Sequence, residues 1–358
     1  METLKLTVGI DVSKDDCKCN LSKMTSELTV KVIASKTFLN NEKDLQELLK
    51  WVAKNSAGYG PLRTGIVIEA SGVYHERFAL GLQQAGHRVS VVLPNKAKKY
   101  MQSLGIKTKN DHIDARGLAQ MGCEQHLEEW SPLSSFFHQL RTYTRLHEDI
   151  QQKRTDTSNQ LHALKHSATE MRDAVQILEK LIEVFDKELG TIKMLIKKHI
   201  DSNREVKEKV EKVCSIKGVA LLTTATVVAE TNGFELIKNI PQLVSYAGYD
   251  IEEDQSGKRV GKTKISKKGN GHIRRILFMP SLQLKSHQVG IFPQLYERTF
   301  NKHGIKMKSY VAIQRKLLVL IYTLWKKNQK FDEHYYKKIS ARVEKVETSS
   351  RVSLEEAV

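Results

Sequence analysis

Four carboxylates and one serine are the side chains here whose types and spacing suggest chemistry. Asp111 and Asp114 stand three apart in Lys109-Asn110-Asp111-His112-Ile113-Asp114-Ala115-Arg116, opening a stretch in which Ala115, Leu118, Ala119 and Met121 recur with helical spacing. Residues three apart share a helical face, and like charges held there repel, so the chain gains nothing structurally from the pair. A divalent cation between them would relieve the repulsion, and a hard ion such as Mg²⁺ takes carboxylate oxygen. Read alone, the pair is also an ordinary Asn-Asp helix start followed by a solvated acid. Two further acids shift the balance. Asp11 lies in the apolar run Val8-Gly9-Ile10-Asp11-Val12, and Glu69 ends Gly65-Ile66-Val67-Ile68-Glu69. A carboxylate within such a strand is costly unless it binds something. Acids at two strand ends and on a helix would make a site for two Mg²⁺ ions and phosphoryl transfer.

The serine is Ser256 in Gln255-Ser256-Gly257-Lys258-Arg259. Flanking cations could stabilise its alkoxide and the charge developing on an attacked phosphodiester, although a turn serine is the plainer reading. Residues 255–296 contain no Asp or Glu, while Lys258, Arg259, Lys262, Lys264, Lys267, Lys268, Arg274 and Arg275 fall within them. A charge run without interleaved acids, beside Gly269-Asn270-Gly271, points to phosphate rather than to a solvated face.

The whole chain agrees with that bias. Its 58 Lys and Arg against 41 Asp and Glu leave +17, the electrostatic footprint of a partner to DNA or RNA. An anionic membrane would also attract this charge. However, the sequence has no eighteen-residue apolar run, and residues 4–8 read as a strand rather than a signal peptide. A cytoplasmic protein with no membrane partner is expected. Apolar residues make up 40% of the 358, enough for two or three real cores. Cys17, Cys19, Cys123 and Cys214 show no CxxC or Cys/His spacing, so reduced thiols and no zinc are expected.

The elements that must position these residues follow from periodicity. Strands are predicted at 4–12, 17–21 and 30–38, a helix at 41–54, a strand at 63–69, a helix at 73–85 and a strand at 87–93, with helices after. This order fits a ribonuclease H-like α/β domain. The actin-like sugar kinases share part of it, but the second Gly-rich nucleotide loop they need is not found. Residues 133–189, 57 in a row, contain neither Gly nor Pro, and a four-three alternation runs from Phe136 to Ile196, weakening only around His147 to Thr157 and at Ala168. That pattern makes a coiled coil between protomers or a hairpin turning near Ser167-Ala168-Thr169, and both stay open. Ile216-Lys217-Gly218-Val219-Ala220 weakly resembles a helix-hairpin-helix turn. A hairpin or loop is predicted over 250–266, and helices over 273–284 and 307–327. The expected organisation is an α/β catalytic domain (1–128), a helical coiled-coil middle (129–212), a mainly α domain with the serine (213–335) and a charged, disordered tail (336–358).

Taken together, Gly9-Ile10-Asp11-Val12-Ser13-Lys14, Glu69-Ala70-Ser71-Gly72, Lys109 to Ala115, Tyr246-Ala247-Gly248-Tyr249, and Gln255-Ser256-Gly257-Lys258 followed by Ile265 to Asn270 and Ile273-Arg274-Arg275 resemble the DEDD-type insertion-sequence transposases. That group is now described as bridge-RNA-guided recombinases. The resemblance spans residues 5–285. It implies a Holliday-junction-resolvase-like domain, a coiled-coil middle and a C-terminal transposase domain. By the same resemblance Asp11, Glu69, Asp111 and Asp114 are metal ligands, and Ser256 is the nucleophile that links covalently to DNA. An element-encoded guide RNA pairing with donor and target DNA is implied, as are dimers joining into a tetramer whose active-site halves come from different protomers. Asn110 stands where Thr is frequent, and Tyr249-Asp250-Ile251 replaces the commoner Leu-containing, Pro-ended turn. Neither touches a proposed catalytic atom. Two other readings are a metal-dependent junction resolvase or nuclease in which water attacks, and a non-enzymatic nucleic-acid scaffold. Buried acids, expected at Asp11 and Glu69, speak against the scaffold, because a pure binder of phosphate would not place four carboxylates in its groove.

Overall fold

A computed structural model of the chain describes residues 2–59, 64–105, 108, 110–169, 171–253, 255–256, 259–261 and 263–335. Lys109, Gly257, Lys258, Lys262 and the tail at 336–358 lie outside them, so the expectations placed there stay untouched. Two compact units divide at Met1–Pro132 and Leu133–Val358.

In the first unit, β1 (Thr3–Val12), β2 (Asp16–Thr25) and β3 (Val30–Leu39) form an antiparallel meander. Next come α1 (Glu42–Ser56), β4 (Gly65–Glu69), α2 (Glu76–Gln84), β5 (Arg88–Val92), α3 (Pro94–Ser103) and α4 (Asp111–Glu124). β4 lies parallel to β1, and β5 parallel to β4, giving the order β3-β2-β1-β4-β5. This is the mixed five-stranded sheet that the run of apolar strands predicts. Alternation along β1 divides its residues between two cores. Val8, Ile10 and Val12 pack with Leu45 and Leu48 of α1 and Phe78 and Leu82 of α2. On the opposite face, Val67 of β4 packs with Leu118 and Met121 of α4 and Tyr100 of α3.

The second unit begins with two long helices, α5 (Ser135–Lys165) and α6 (Arg172–Asp201), which pair as a hairpin. Arg154 to Asp186 (2.7 Å) and Lys165 to Glu179 (2.7 Å) tie them side to side. The turn falls where Ser167-Ala168-Thr169 places it, so the heptad pattern pairs within one chain. Then follow α7 (Arg204–Val213), α8 (Leu221–Glu230), α9 (Ile240–Tyr246), β6 (Ile251–Glu252), β7 (Gln255–Ser256), β8 (Arg259–Val260), β9 (Lys264–Ile265), α10 (Gly271–Ile276), α11 (Phe278–Ser286), α12 (Phe292–His303) and α13 (Lys306–Lys327). One helix predicted over 273–284 is therefore two, breaking at Leu277. Pro280 has no N–H to give the carbonyl four residues back, so the helix restarts with Pro280 in the first turn of α11. The two stretches expected as separate domains share one core. Phe137 and Leu140 of α5 and Ile196 of α6 cluster with Val210, Val228, Leu317 and Trp325. Among the described residues no helix is long and apolar enough to cross a membrane.

Candidate functional site

The acids reach one edge of the first unit because a glycine lets a helix sit on a strand. A Cβ added at Gly9 would run into the backbone of α4, at the Ala115 carbonyl, the Ala119 amide and, at 2.9 Å, the Leu118 carbonyl carbon. Further along α4, a Cβ at Gly122 would meet Thr7 and, at 2.6 Å, Val67. α4 therefore runs antiparallel to β1, with its first turn toward the end of that strand. Asp11 shares the face of Thr7 and Gly9, and Glu69 the face of Val67, because side chains two apart on a strand point the same way. Ile10 is in register with Ile68, which sets Asp11 and Glu69 side by side on neighbouring parallel strands. Both carboxylates thus point to the side that the first turn of α4 occupies, where Asp111 and Asp114 sit. Lys18, in register with Asp11, lies near the first turn of α4. Its hydrogen bond to Asp16 (2.7 Å) raises its pKa, and the field of Asp111 adds to the rise.

Two expectations need correcting here. Asp11 and Glu69 are half-buried, since both lie where the sheet meets solvent. The Asp111–Asp114 pair also has a structural benefit. The Asn110 side chain caps α4 by accepting from the Ile113 amide (2.8 Å), and both acids lie in the first turn, where the helix dipole favours negative charge by about 0.3–1 kcal/mol each. Among the described residues, no three Asp, Glu, His or Cys side chains are grouped closely enough to hold a metal ion. The donor set nonetheless fits a hard divalent cation, being carboxylate oxygen throughout. Beside it Ser71 Oγ, two residues beyond Glu69, is buried without a hydrogen-bond partner.

Ser256 is exposed on a two-strand hairpin in the second unit. Gln255 pairs with Val260 and Ser256 with Arg259, so the guanidinium-bearing residue stands directly across from the hydroxyl. The hairpin's base is β6 with β9, pairing Ile251 with Ile265 and Glu252 with Lys264. Below it the motifs read from the sequence interlock. Gly269 lies so close to Gly248 that a Cβ there would fall 2.5 Å from the Gly248 amide. Asn270 donates its backbone N–H to the Tyr246 carbonyl (2.7 Å) and caps α10 through the Ile273 amide (3.2 Å).

Several members of the basic tract are engaged within the protein. Arg274 donates to the Ala247 carbonyl (2.8 Å), Arg275 pairs with Glu148 (2.5 Å), and Lys268 pairs with Glu252. Arg274 accordingly holds the turn in place, while Lys264 and Lys267 are exposed on the hairpin side. Tyr246 donates to the Glu230 carbonyl (2.7 Å), and Tyr249 is buried and donates to Gln314 (2.8 Å). Burial raises the pKa of both phenols, so neither is a ready substitute nucleophile.

Sequence reasoning missed Glu230. It ends α8, is 1% exposed, and takes both arms of the Arg145 guanidinium (2.7 and 2.9 Å) while accepting from Asn270 (2.7 Å). Burial alone would push its carboxyl up, but Arg145 and Asn270 outweigh that and hold it below the usual range. The signal was available, since Glu230 is a lone acid after the apolar Val227-Val228-Ala229, the same pattern that singled out Asp11. It links α5 to the turn under the serine hairpin. Replacing a buried ion partner costs about 3–5 kcal/mol, less where the other partner keeps water as Arg145 does. Glu230→Gln should therefore destabilise by about 2–3 kcal/mol at pH 7, seen as a lower urea midpoint. Because this carboxyl's pKa is lowered on folding, its contribution is full above the unfolded value near 4.3 and fades as pH falls through the folded value. The gap between wild type and Glu230→Gln should narrow below about pH 4, and a pH-independent gap would remove the charge from the explanation.

Comparison with known proteins now bears on this geometry. Residues 8–169 match the family profile described as a transposase of the DEDD IS110 type, and residues 210–297 match that of the transposase IS116/IS110/IS902 family. Over 335 residues the chain is 25% identical to a pilin gene-inverting protein of Moraxella bovis, covering 93% of this chain and 99% of that protein. The pilin gene-inverting protein of Moraxella lacunata is 26% identical over 338 residues, with the same coverage. Among solved structures, Thermus thermophilus RuvC aligns loosely, with 11% identity and a TM-score of 0.27, over 35% of this chain and 99% of its own. Both profiles name one family, and between them they take in the acids, the serine hairpin and the turn beneath it: the chain belongs to the IS110 family of DEDD transposases and is a DNA-recombination enzyme.

Proposed function

We propose that the chain cleaves and rejoins DNA through a phosphoserine intermediate on Ser256, assisted by Mg²⁺ held by Asp11, Glu69, Asp111 and Asp114 in a ribonuclease H-like domain. The observation that supports this reading is the seat of α4 on β1 at Gly9, which brings the first turn of α4, with Asp111 and Asp114, toward the strand ends that carry Asp11 and Glu69. A bound divalent cation there would supply Lewis-acid polarisation of the scissile phosphate. Ser256 Oγ loses its proton and attacks phosphorus, the Oγ–P bond forms, the P–O bond to one DNA fragment breaks, and that fragment's oxygen takes a proton. Attack by a strand hydroxyl then reverses the step onto a new partner and frees the serine. Arg259, in register with Ser256, would stabilise charge on the attacked phosphate. Lys264 and Lys267 extend this field, Lys258 and Lys262 add positive charge to the same stretch of sequence, and the family resemblance adds an element-encoded bridge RNA as the guide to donor and target.

The test is denaturing electrophoresis after incubation with a nicked DNA substrate in Mg²⁺. Wild type should give a protein–DNA band that Ser256→Ala lacks, with nucleic-acid binding retained. A band that persists in Ser256→Ala would favour another nucleophile. Cleavage without any band would favour water attack by a plain two-metal nuclease.

A second copy completes the assembly in this reading. α6 carries two adjacent apolar stripes, one facing α5 and one exposed. Ile177 (59% exposed), Leu181 and Val184 (54%) follow four-three spacing on the outer stripe. Ile177→Asp with Val184→Asp should shift sedimentation from dimer or tetramer to monomer. An unchanged profile would place the interface elsewhere.

A further inference from the structure

A groove of about 1200 Å³ opens beside the base of the serine hairpin, between β6 and β9 on one side and α12 and the start of α13 on the other. It exceeds the roughly 300–1,000 Å³ of a small-molecule site. Its floor is aliphatic, from the half-buried Ile265, Leu295 and Val311, with the exposed Ile251 and Met307 flanking them. Its rim is cationic. The hairpin side gives Lys264 and Lys267, α12 gives Arg298 and His303, and α13 gives Lys308 and Arg315. None of the described lining residues is acidic. Lys267 sits at φ +53°, a conformation that a side-chain-bearing residue seldom holds, fixed by its amide donating to the Gly248 carbonyl (3.1 Å). Ile251 is five residues from Ser256, so the groove begins within about 18 Å of the hydroxyl.

We infer that this groove holds an unpaired DNA strand leading to or from the phosphate at Ser256. The choice of deoxyribose rests on the recombinase reading, whereas capture of an unpaired strand rests on the lining alone. A duplex presents phosphates and sugars outward and would leave the aliphatic floor without a partner. Unpaired bases have apolar faces to lay on it, and the Arg298 and Arg315 guanidinium planes can stack on them while the rim meets the phosphates. An aliphatic floor also suits deoxyribose better than a 2′-hydroxyl that needs a hydrogen-bond partner.

The test uses the full chain and fluorescence anisotropy with a labelled twelve-residue oligothymidylate, its duplex with oligoadenylate, and the matching oligouridylate. Arg298→Glu with Arg315→Glu, both exposed positions, should weaken the deoxy single strand at least about 10-fold at moderate salt and flatten the log K against log salt slope by about 1.4, two phosphates' worth. Unchanged affinity and slope would overturn the inference, as would duplex or oligouridylate binding the wild type as tightly as the deoxy strand. If the double variant unfolds, photocross-linking of wild type to an iododeoxyuridine strand decides. Adducts should map to Ile251, to residues 263–267 or to residues 291–316, and adducts confined elsewhere would overturn the groove. The two readings fail separately, because the groove is read by the single-strand affinity of Arg298→Glu with Arg315→Glu, whereas the covalent mechanism is read by the protein–DNA band.

Discussion

Asp11→Ala, Glu69→Ala, Asp111→Ala and Asp114→Ala should each lose strand exchange by more than about 100-fold, since even partners that only orient a metal ligand cost 10–100-fold when removed. Stability should move little, and the sign differs among the four. Without metal, deleting Asp11 or Glu69 relieves carboxylate repulsion, so melting in EDTA should match or exceed wild type. Deleting Asp111 or Asp114 gains the same relief but forfeits about 0.3–1 kcal/mol of helix-dipole stabilisation, leaving the two effects close to cancelling. Mg²⁺ should raise the wild-type melting temperature and fail to raise that of any variant, because only a ligand bound to the native state stabilises it. Normal recombination by these proteins would sink the metal reading. Equal Mg²⁺ stabilisation of all five would do so independently of any activity assay.

Gly9→Ala should be the most damaging single change in the first unit. Its new methyl meets helix backbone rather than a flexible side-chain end, so nothing nearby can rotate away. Overpacked cores lose typically 1–3 kcal/mol, and an immovable obstacle places this variant at about 3 kcal/mol or beyond. The same displacement lifts Asp111 and Asp114 off the edge that Asp11 and Glu69 share, so activity should fall further than stability alone accounts for. Gly58→Ala is the control, because a Cβ there meets nothing within 4 Å. Urea midpoints followed by far-ultraviolet dichroism check both. A wild-type midpoint for Gly9→Ala would mean that α4 does not rest on β1.

How much of this was legible depended on how local each cause was. β1 and β4 announce themselves by apolar runs that end near an acid, and α4 by Asn110 followed by helical spacing. The α5–α6 turn was readable because nothing else interrupts 133–189. By contrast, the need for Gly9 arises from a helix about a hundred residues later, and no window around Gly9 contains it. Glu230 shows the other failure. Its pattern was visible, but its partners Arg145 and Asn270 lie 85 and 40 residues away. The basic tract misled in part for the same reason, since composition could not show that Arg274 and Arg275 are held by Ala247 and Glu148. Nor could it reveal Arg298 and Arg315, which face the groove from helices that also carry Glu297 and long apolar stretches.

The sharing of one core between α5 and α13 also fixes an order of events on the ribosome. The first unit needs only residues up to Pro132, so its sheet can close as soon as they emerge. The second cannot, because Phe137 and Leu140 wait for Leu317 and Trp325. At roughly 5–20 residues per second, the intervening two hundred or so residues take about 10–40 seconds to synthesise. Throughout that interval the nascent chain displays a closed sheet carrying Asp11 and Glu69 while the helical unit is still incomplete, and under the proposed serine mechanism a polypeptide at that stage would meet DNA without joining itself to it.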